Sequence, residues 1–193
     1  LSRTPVATRE GEEGARFRHS ACDLGDPESR LAAAGEMDAA GFVPDAVILN
    51  AAIEYEEEPA ALSWEKLEAV LRTNVEGALF WVSHWMDRSP RTPMQFIGLS
   101  TVLAQWPDPD CPAYSASKAA LSMAFRSLRL RHAGEPVAFK LLVLGPVQTS
   151  INPRFAEGGP RGRGVAAPEA VARHLVQTVL SKRRFVFYYP WQT

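Results

Sequence analysis

The chain has 193 residues, of which 46% are apolar and 22% charged, and its formal net charge is −1. That length suits a single domain spanning 1–193 with a substantial core. The near-neutral balance excludes a broad electrostatic pull toward nucleic acid or an anionic membrane. The basic trio Lys182-Arg183-Arg184 is too short to change this and reads as a solvated helix end. Cys22 and Cys111 stand in no metal-ligand spacing, so no metal site is expected, and a reduced cytoplasmic setting is a simpler reading than a disulfide. No apolar run is long enough to span a bilayer and no signal peptide is visible. The first residue is Leu1, so the sequence is expected to start inside something longer, or to have been processed or trimmed.

In chain order, short apolar runs alternate with longer amphipathic ones, the pattern of an α/β fold with a parallel sheet. Residues 16–22 read as a short strand ending at Cys22-Asp23. Asp26 is a plausible N-cap and Pro27 a first-turn residue for a helix that Gly41 stops. Asp45 to Leu49 reads as a buried parallel strand, followed by the acidic loop Glu54 to Glu58. Ser63 caps a long helix to about Met86, with Leu67, Val70, Leu71, Val75, Leu79 and Val82 on one face. Met94 to Leu99 is a strand, and the proline-rich loop Pro107 to Pro112 leads into a helix from about Ala113 to His132. Val137 to Leu144 is the next strand, Gly158 to Gly164 a Gly/Arg loop, Pro168 to Leu180 a helix, and Phe185 to Tyr189 an aromatic strand. At least five strands are expected, with helices on both faces of the sheet.

Tyr114-Ser115-Ala116-Ser117-Lys118 is the segment with chemical content. Four residues along a helix return to the same face, so Tyr114 and Lys118 point the same way. A phenol titrates too high for acid–base work at neutral pH, and a neighbouring ammonium is expected to lower it. By spacing alone the pair is common on ordinary helices, with the tyrosine packed and the lysine solvated. Its surroundings raise its weight. Ser100-Thr101 ends a strand thirteen positions before Tyr114, and Asn74 lies in the middle of the long helix. Asn50-Ala51-Ala52 ends the central strand and Gly145-Pro146-Val147-Gln148-Thr149 follows the later one. These are carboxyl ends of strands, where open α/β sheets bind ligands.

With these motifs in this order, from about Phe17 to Val186, the chain resembles the short-chain dehydrogenase/reductase family. The resemblance implies a Rossmann-like, doubly wound parallel sheet and hydride transfer between NADP (or NAD) and a carbonyl or secondary alcohol. It implies that Tyr114 moves the proton of the substrate oxygen, and that Lys118 lowers the tyrosine pKa and holds the nicotinamide ribose. Thr101, with its neighbour Ser100, would polarise the substrate oxygen, and Asn74 would hold a water that links the lysine to solvent. Threonine is a mild departure, since serine is usual there. Asn50, Ala51 and Ala52 would support the cofactor, with Ala52 where the family has glycine. Gly145, Val147 and Thr149 would hold the carboxamide, and Asp23-Leu24 would contact the adenine. Arg3 would meet a 2′-phosphate and favour NADP. A homodimer or homotetramer through the long helix and the tyrosine helix is also implied.

The family's opening strand and glycine-rich turn have no counterpart before Asp23, where Gly11 and Gly14 stand in a polar loop. On this reading the fold is N-terminally incomplete. Either the sequence is part of a longer protein, or another chain supplies the segment, or the protein is a truncated, inactive relative. The rival to the enzyme reading is a non-catalytic subunit or binding module that has lost its cofactor. The acidic loop from Glu54 could meet a cationic substrate, although a solvated loop is the simpler account.

Overall fold

Asp26 opens the first helix by accepting from the backbone N–H groups of Glu28 and Ser29, with Pro27 in the first turn. The computed structural model describes residues 19–55, 62–88, 93–106, 108–149, 151 and 164–182, and the backbone of 186–188. Helix α1 (Pro27–Ala39) ends before Gly41, whose φ of 61° lies in the left-handed region that glycine enters without strain. Strand β1 (Ala46–Leu49) follows. Ser63 then caps α2 (Trp64–Leu71), which runs through a π-helical turn (Arg72–Glu76) into α3 (Gly77–Arg88). Strand β2 (Met94–Thr101) leads through a 3₁₀ turn (Val102–Ala104) to α4 (Pro112–Arg131). Strand β3 (Val137–Leu144), α5 (Pro168–Leu180) and β4 (Val186–Tyr188) complete the order.

The strands pair in the order β1-β2-β3-β4, and every pairing is parallel. Side chains alternate across such a sheet. Phe139, Leu141 and Val143 join the core cluster with Phe96, Leu121 and Phe125, which places them on the α4 side. Gly98 permits this packing: a Cβ there would stand 3.0 Å from Phe125 Cζ. Lys140 points to the opposite face, where Nζ donates to the carbonyls of Thr178 (2.8 Å), Val179 (3.2 Å) and Ser181 (2.6 Å) at the end of α5. Helices therefore cover both faces, as the sequence predicts. Beside the sheet, α1 is fastened to α3 by Asp38, which accepts from Arg88 Nε at 2.9 Å.

Two expectations change, and two fall partly outside the described residues. Four strands pair among the described residues; residues 16–18 of the remaining expected strand lie outside them, and Ala21 forms a bridge. The strand at 45–49 is not buried throughout, since Ile48 is 44% exposed, because among the described residues β1 has a strand neighbour only in β2. The long helix is interrupted by the π turn. That turn takes up one extra residue, so the inward face carries Asn74 within it and Ala78, Trp81 and Trp85 after it; of the expected face, Val82 is buried while Val75 and Leu79 are only partly so. Of the two C-terminal features, the Gly/Arg loop is described only at Gly164, and the last strand spans 186–188. Among the described residues no helix is long and apolar enough to cross a membrane.

Candidate active site

The carboxyl ends of the strands meet where the sequence motifs lie. Leu49 pairs with Gly98 and Thr101 with Leu144, so Asn50, Thr101 and Gly145 stand along one edge of the sheet. The start of α4 faces this edge, because α4 is the next α-helix after β2 and its lysine reaches back to the strand. Lys118 is 3% exposed, and its Nζ donates to Leu99 O at 2.9 Å. The same Nζ lies 5.7 Å from the Tyr114 ring centroid. Tyr114 is partly buried.

Asn74 holds the arrangement together. It sits in the π turn and is 1% exposed. Its Oδ1 accepts from Ile53 N at 2.8 Å, and its Nδ2 donates to Ile53 O at 2.9 Å and to Ser117 Oγ at 3.0 Å. Ser117 Oγ donates in turn to Tyr114 O at 2.8 Å. Both N–H groups of the amide are thereby used on protein atoms. One polar chain runs from the loop after β1, through the helix, to the tyrosine turn of α4. The sequence gives a sign of this in a polar residue placed within an apolar helical repeat. It gives none of Ser117, which reads as an ordinary helical serine between Tyr114 and Lys118.

The two hydroxyl candidates lie in different surroundings. Ser100 is buried, with Oγ 2.6 Å from Ser122 Oγ, and Ser122 Oγ donates to Lys118 O at 2.7 Å. Thr101 Oγ1 accepts from Leu103 N at 3.3 Å and caps the 3₁₀ turn. Of the adenine pair, Asp23 Oδ1 accepts from Gly25 N at 2.9 Å and Leu24 O accepts from Arg30 Nη1. Gly77 touches the latter: a Cβ there would stand 2.6 Å from Leu24 O. This helix therefore contacts Leu24 three residues after Asn74. Asn50 and Ala51 are exposed, and Ala52, Gly145, Val147 and Thr149 are partly buried. Val147 is bridged to Ala166. Arg3 lies outside the described residues.

The electrostatics depart from expectation. Burial pushes the Tyr114 phenol above its ordinary value, and Glu54 and Cys111 push it the same way. The Lys118 ammonium does not offset this, because it loses its proton well below the range in which the phenol titrates. Burial brings Lys118 down to about 8, with Glu54 acting in the opposite sense. Burial likewise pushes the Cys111 thiol up to about 12, helped by Glu54 and Asp108. Cys111 is 2% exposed and packs its loop down, whereas Trp106 is 65% exposed. A cavity of about 520 Å³ opens beside the tyrosine turn, bordered by Leu103, Pro109, Ser115 and Ala119.

The residues present fit one end of a nicotinamide dinucleotide. The buried Lys118 ammonium has three N–H donors and gives one to Leu99, which leaves donors suited to a pair of ribose hydroxyls. No glycine-rich turn for a pyrophosphate occurs among the described residues. Nor do the described residues contain a group of His, Cys, Asp or Glu able to hold a metal ion.

Comparison with known proteins bears on the fold and the family. The 3beta-hydroxysteroid dehydrogenase 1 of Eggerthella lenta is 30% identical over 141 residues, 66% of this chain and 53% of that protein. The chain thus spans about half the length of this curated relative. Among solved structures, a 4-hydroxyisoleucine dehydrogenase complexed with NADH superposes with a TM-score of 0.79 at 15% identity, over 89% of this chain and 77% of that one. An alcohol dehydrogenase from the archaeon Thermococcus sibiricus, complexed with 5-hydroxy-NADP, superposes at 0.78 with 19% identity, over 90% and 74% of the two chains. These likenesses show the Rossmann-like fold. Residues 3–158 match the family model described as short chain dehydrogenase, and the chain belongs to that family.

Proposed function

We propose that this chain is the catalytic part of an NAD(P)-dependent oxidoreductase acting on a carbonyl or secondary alcohol. The observation that carries the reading is the buried Lys118 ammonium beneath Tyr114, on a helix tied through Ser117 and Asn74 to the loop after β1. The bound nicotinamide supplies a hydride donor or acceptor. The chain's own residues handle position and proton. Tyr114 gives its phenolic proton to the substrate oxygen in reduction and takes it back in oxidation. Lys118 orients the ribose and keeps a positive charge near the phenol. Thr101 donates to the substrate oxygen, while Ser100 supports α4 through Ser122. Asn74 acts by fixing Ile53 and the tyrosine turn.

Asn50, Ala51 and Ala52 line the cofactor at the end of β1, and Gly145, Val147 and Thr149 meet the carboxamide. Asp23 and Leu24 meet the adenine, and Arg3 a 2′-phosphate, which favours NADP. A cytoplasmic location accords with the two buried free cysteines. A homodimer or homotetramer accords with the exposed apolar Trp64 and Met123 on α2 and α4.

The test is calorimetric titration with NADPH and NADH, followed by a carbonyl-substrate screen of wild type and Tyr114→Phe. Binding of NADPH, with turnover that Tyr114→Phe abolishes, supports the reading. Absence of binding by either nucleotide overturns it for this chain.

A further inference from the structure

The buried residues of α1 are Arg30, Ala33 and Ala34. Arg30 is 7% exposed, and its Nε is buried without a hydrogen-bond partner. Taking a guanidinium out of water is costly unless its donors are matched, and an aliphatic side chain would fill the space without that cost. The contacts that Arg30 does make all lie at one place. Its Nη1 donates to Leu24 O, and its guanidinium stands 5.6 Å from the centre of the Phe80 ring on α3, within range of a cation–π contact. Phe80 follows Gly77 by three residues, on the same side of the helix. The backbone at Gly77 meets the same carbonyl, since a Cβ there would stand 2.6 Å from Leu24 O. Within the turn, Asp23 N donates to Ser29 Oγ at 2.9 Å, Gly25 N to Asp23 Oδ1 at 2.9 Å and Asp26 N to Asp23 O at 3.1 Å. Those bonds shape residues 23–26, and Arg30 fixes the turn against α3.

We propose that Arg30 is a positioning residue of the nucleotide site: by holding the Leu24 carbonyl against α3 it keeps Asp23 and Leu24 in place for the adenine, and so sets nucleotide affinity without touching the reacting atoms. The inference rests on the assignment of Asp23 and Leu24 to the adenine end of the cofactor. The bonds that order the tyrosine turn run from Asn74 through Ser117 to Tyr114 and do not pass through Arg30. Its effect therefore falls on binding and not on the proton step. A guanidinium suits this task because one planar group donates to a carbonyl and lies by an aromatic ring at once.

The decisive measurement is calorimetric titration of wild type, Arg30→Lys and Arg30→Met with NADPH and NADH, each protein checked for folding by its urea midpoint. Arg30→Met keeps an apolar stem and removes the donors, whereas Arg30→Lys keeps the charge and a donor for Leu24 O. Loss of a hydrogen bond from a charged donor is expected to raise Kd about tenfold in Arg30→Met, with Arg30→Lys between it and wild type. Where turnover is found, kcat at saturating nucleotide stays at the wild-type value. Equal Kd in wild type and Arg30→Met overturns the proposal, and so does a kcat that falls along with affinity, which marks a general loosening of the fold. Should Arg30→Met not fold, Arg30→Lys carries the comparison, and a Kd equal to wild type overturns the proposal in the same way. Wild type that binds neither nucleotide overturns the oxidoreductase reading and the proposal with it; wild type that binds as tightly as both variants overturns the proposal alone.

Discussion

Asn74 and Ser117, 43 positions apart in sequence, meet in a buried 3.0 Å hydrogen bond from Nδ2 to Oγ. This bond joins the π turn to α4, and its partners are all backbone groups at the site: Ile53 on one side and Tyr114 on the other. Ser117→Ala leaves one buried N–H of Asn74 without an acceptor, which costs about 1–3 kcal/mol. Asn74→Ala also releases both groups of Ile53 and is the more damaging change. Urea unfolding of the two variants checks the order. A Ser117→Ala protein as stable as wild type shows that the bond contributes nothing.

Tyr114→Phe removes the hydroxyl and keeps the ring. The ring, with Lys118 Nζ 5.7 Å from its centroid, stays in place, so the fold is expected to survive with an unchanged circular dichroism spectrum. Removing a positioned general acid costs roughly 10²–10⁴ in rate. Turnover is therefore expected to fall at least a hundredfold (~10²), with nucleotide affinity nearly unchanged, measured by calorimetry alongside the activity assay. Equal turnover in the two proteins would falsify the assignment of Tyr114.

Much of this site is legible in the sequence, because the chemistry depends on spacings that local structure preserves. Four residues of helix bring Tyr114 over Lys118, and parallel strands place Asn50, Thr101 and Gly145 on one edge. Val137–Leu144 can be read to the residue, since Gly134 and Gly145-Pro146 bound it, and the start of the last helix is marked by Pro168. What escapes a linear reading depends on tertiary burial. The pKa direction of Tyr114 follows from how deeply the phenol is packed and from the placement of Glu54, and neither can be deduced from a four-residue spacing. The π turn escapes for the same reason: Arg72–Glu76 is helix-compatible throughout, and the contacts of Asn74 and Gly77 accompany its wider winding.

Gly77→Ala separates helix propensity from fit. In an exposed helix the change gains up to about 1 kcal/mol. Here the new methyl would lie 2.6 Å from Leu24 O and 2.8 Å from Leu24 Cβ, and a backbone oxygen cannot rotate away. Net destabilisation of about 1–3 kcal/mol is expected, read as a lower urea midpoint. Because Leu24 sits in the segment assigned to the adenine, nucleotide affinity falls as well. Unaltered stability would show that the 23–25 loop gives way freely.

Lys140 closes the end of α5 from the other face of the sheet. The last carbonyls of a helix have no partner within it, and this buried ammonium takes three: Thr178, Val179 and Ser181. Lys140→Met keeps the stem and strips these acceptors, for a loss of roughly 2–4 kcal/mol. Amide hydrogen exchange should rise first in the last turn of α5. Protection there equal to wild type would show that solvent caps the helix as well as the lysine does.

Lys118 gives the pH dependence a definite sign. An unfolded lysine keeps its proton to about its ordinary value of 10.5, while the folded one releases it at about 8. Between those values the unfolded state holds the additional proton, so stability rises with pH across the window. Below it, the cost of desolvating the ammonium is fully present. Tyr114 works in the opposite direction above its ordinary value of 10.0, and the raised thiols of Cys111 and Cys22 do so above theirs of 9.0, so the lysine's contribution is read as a difference from Lys118→Met, which keeps all three groups. Lys118→Met has no charge to desolvate and loses only the bond to Leu99 O. Wild-type stability relative to Lys118→Met is therefore expected to climb between pH values of about 7.5 and 9.5, while wild type alone retains turnover. Urea midpoints of both proteins at the two pH values decide the matter: a constant difference means that the ammonium is solvated, and that its burial beneath Tyr114 has no energetic consequence.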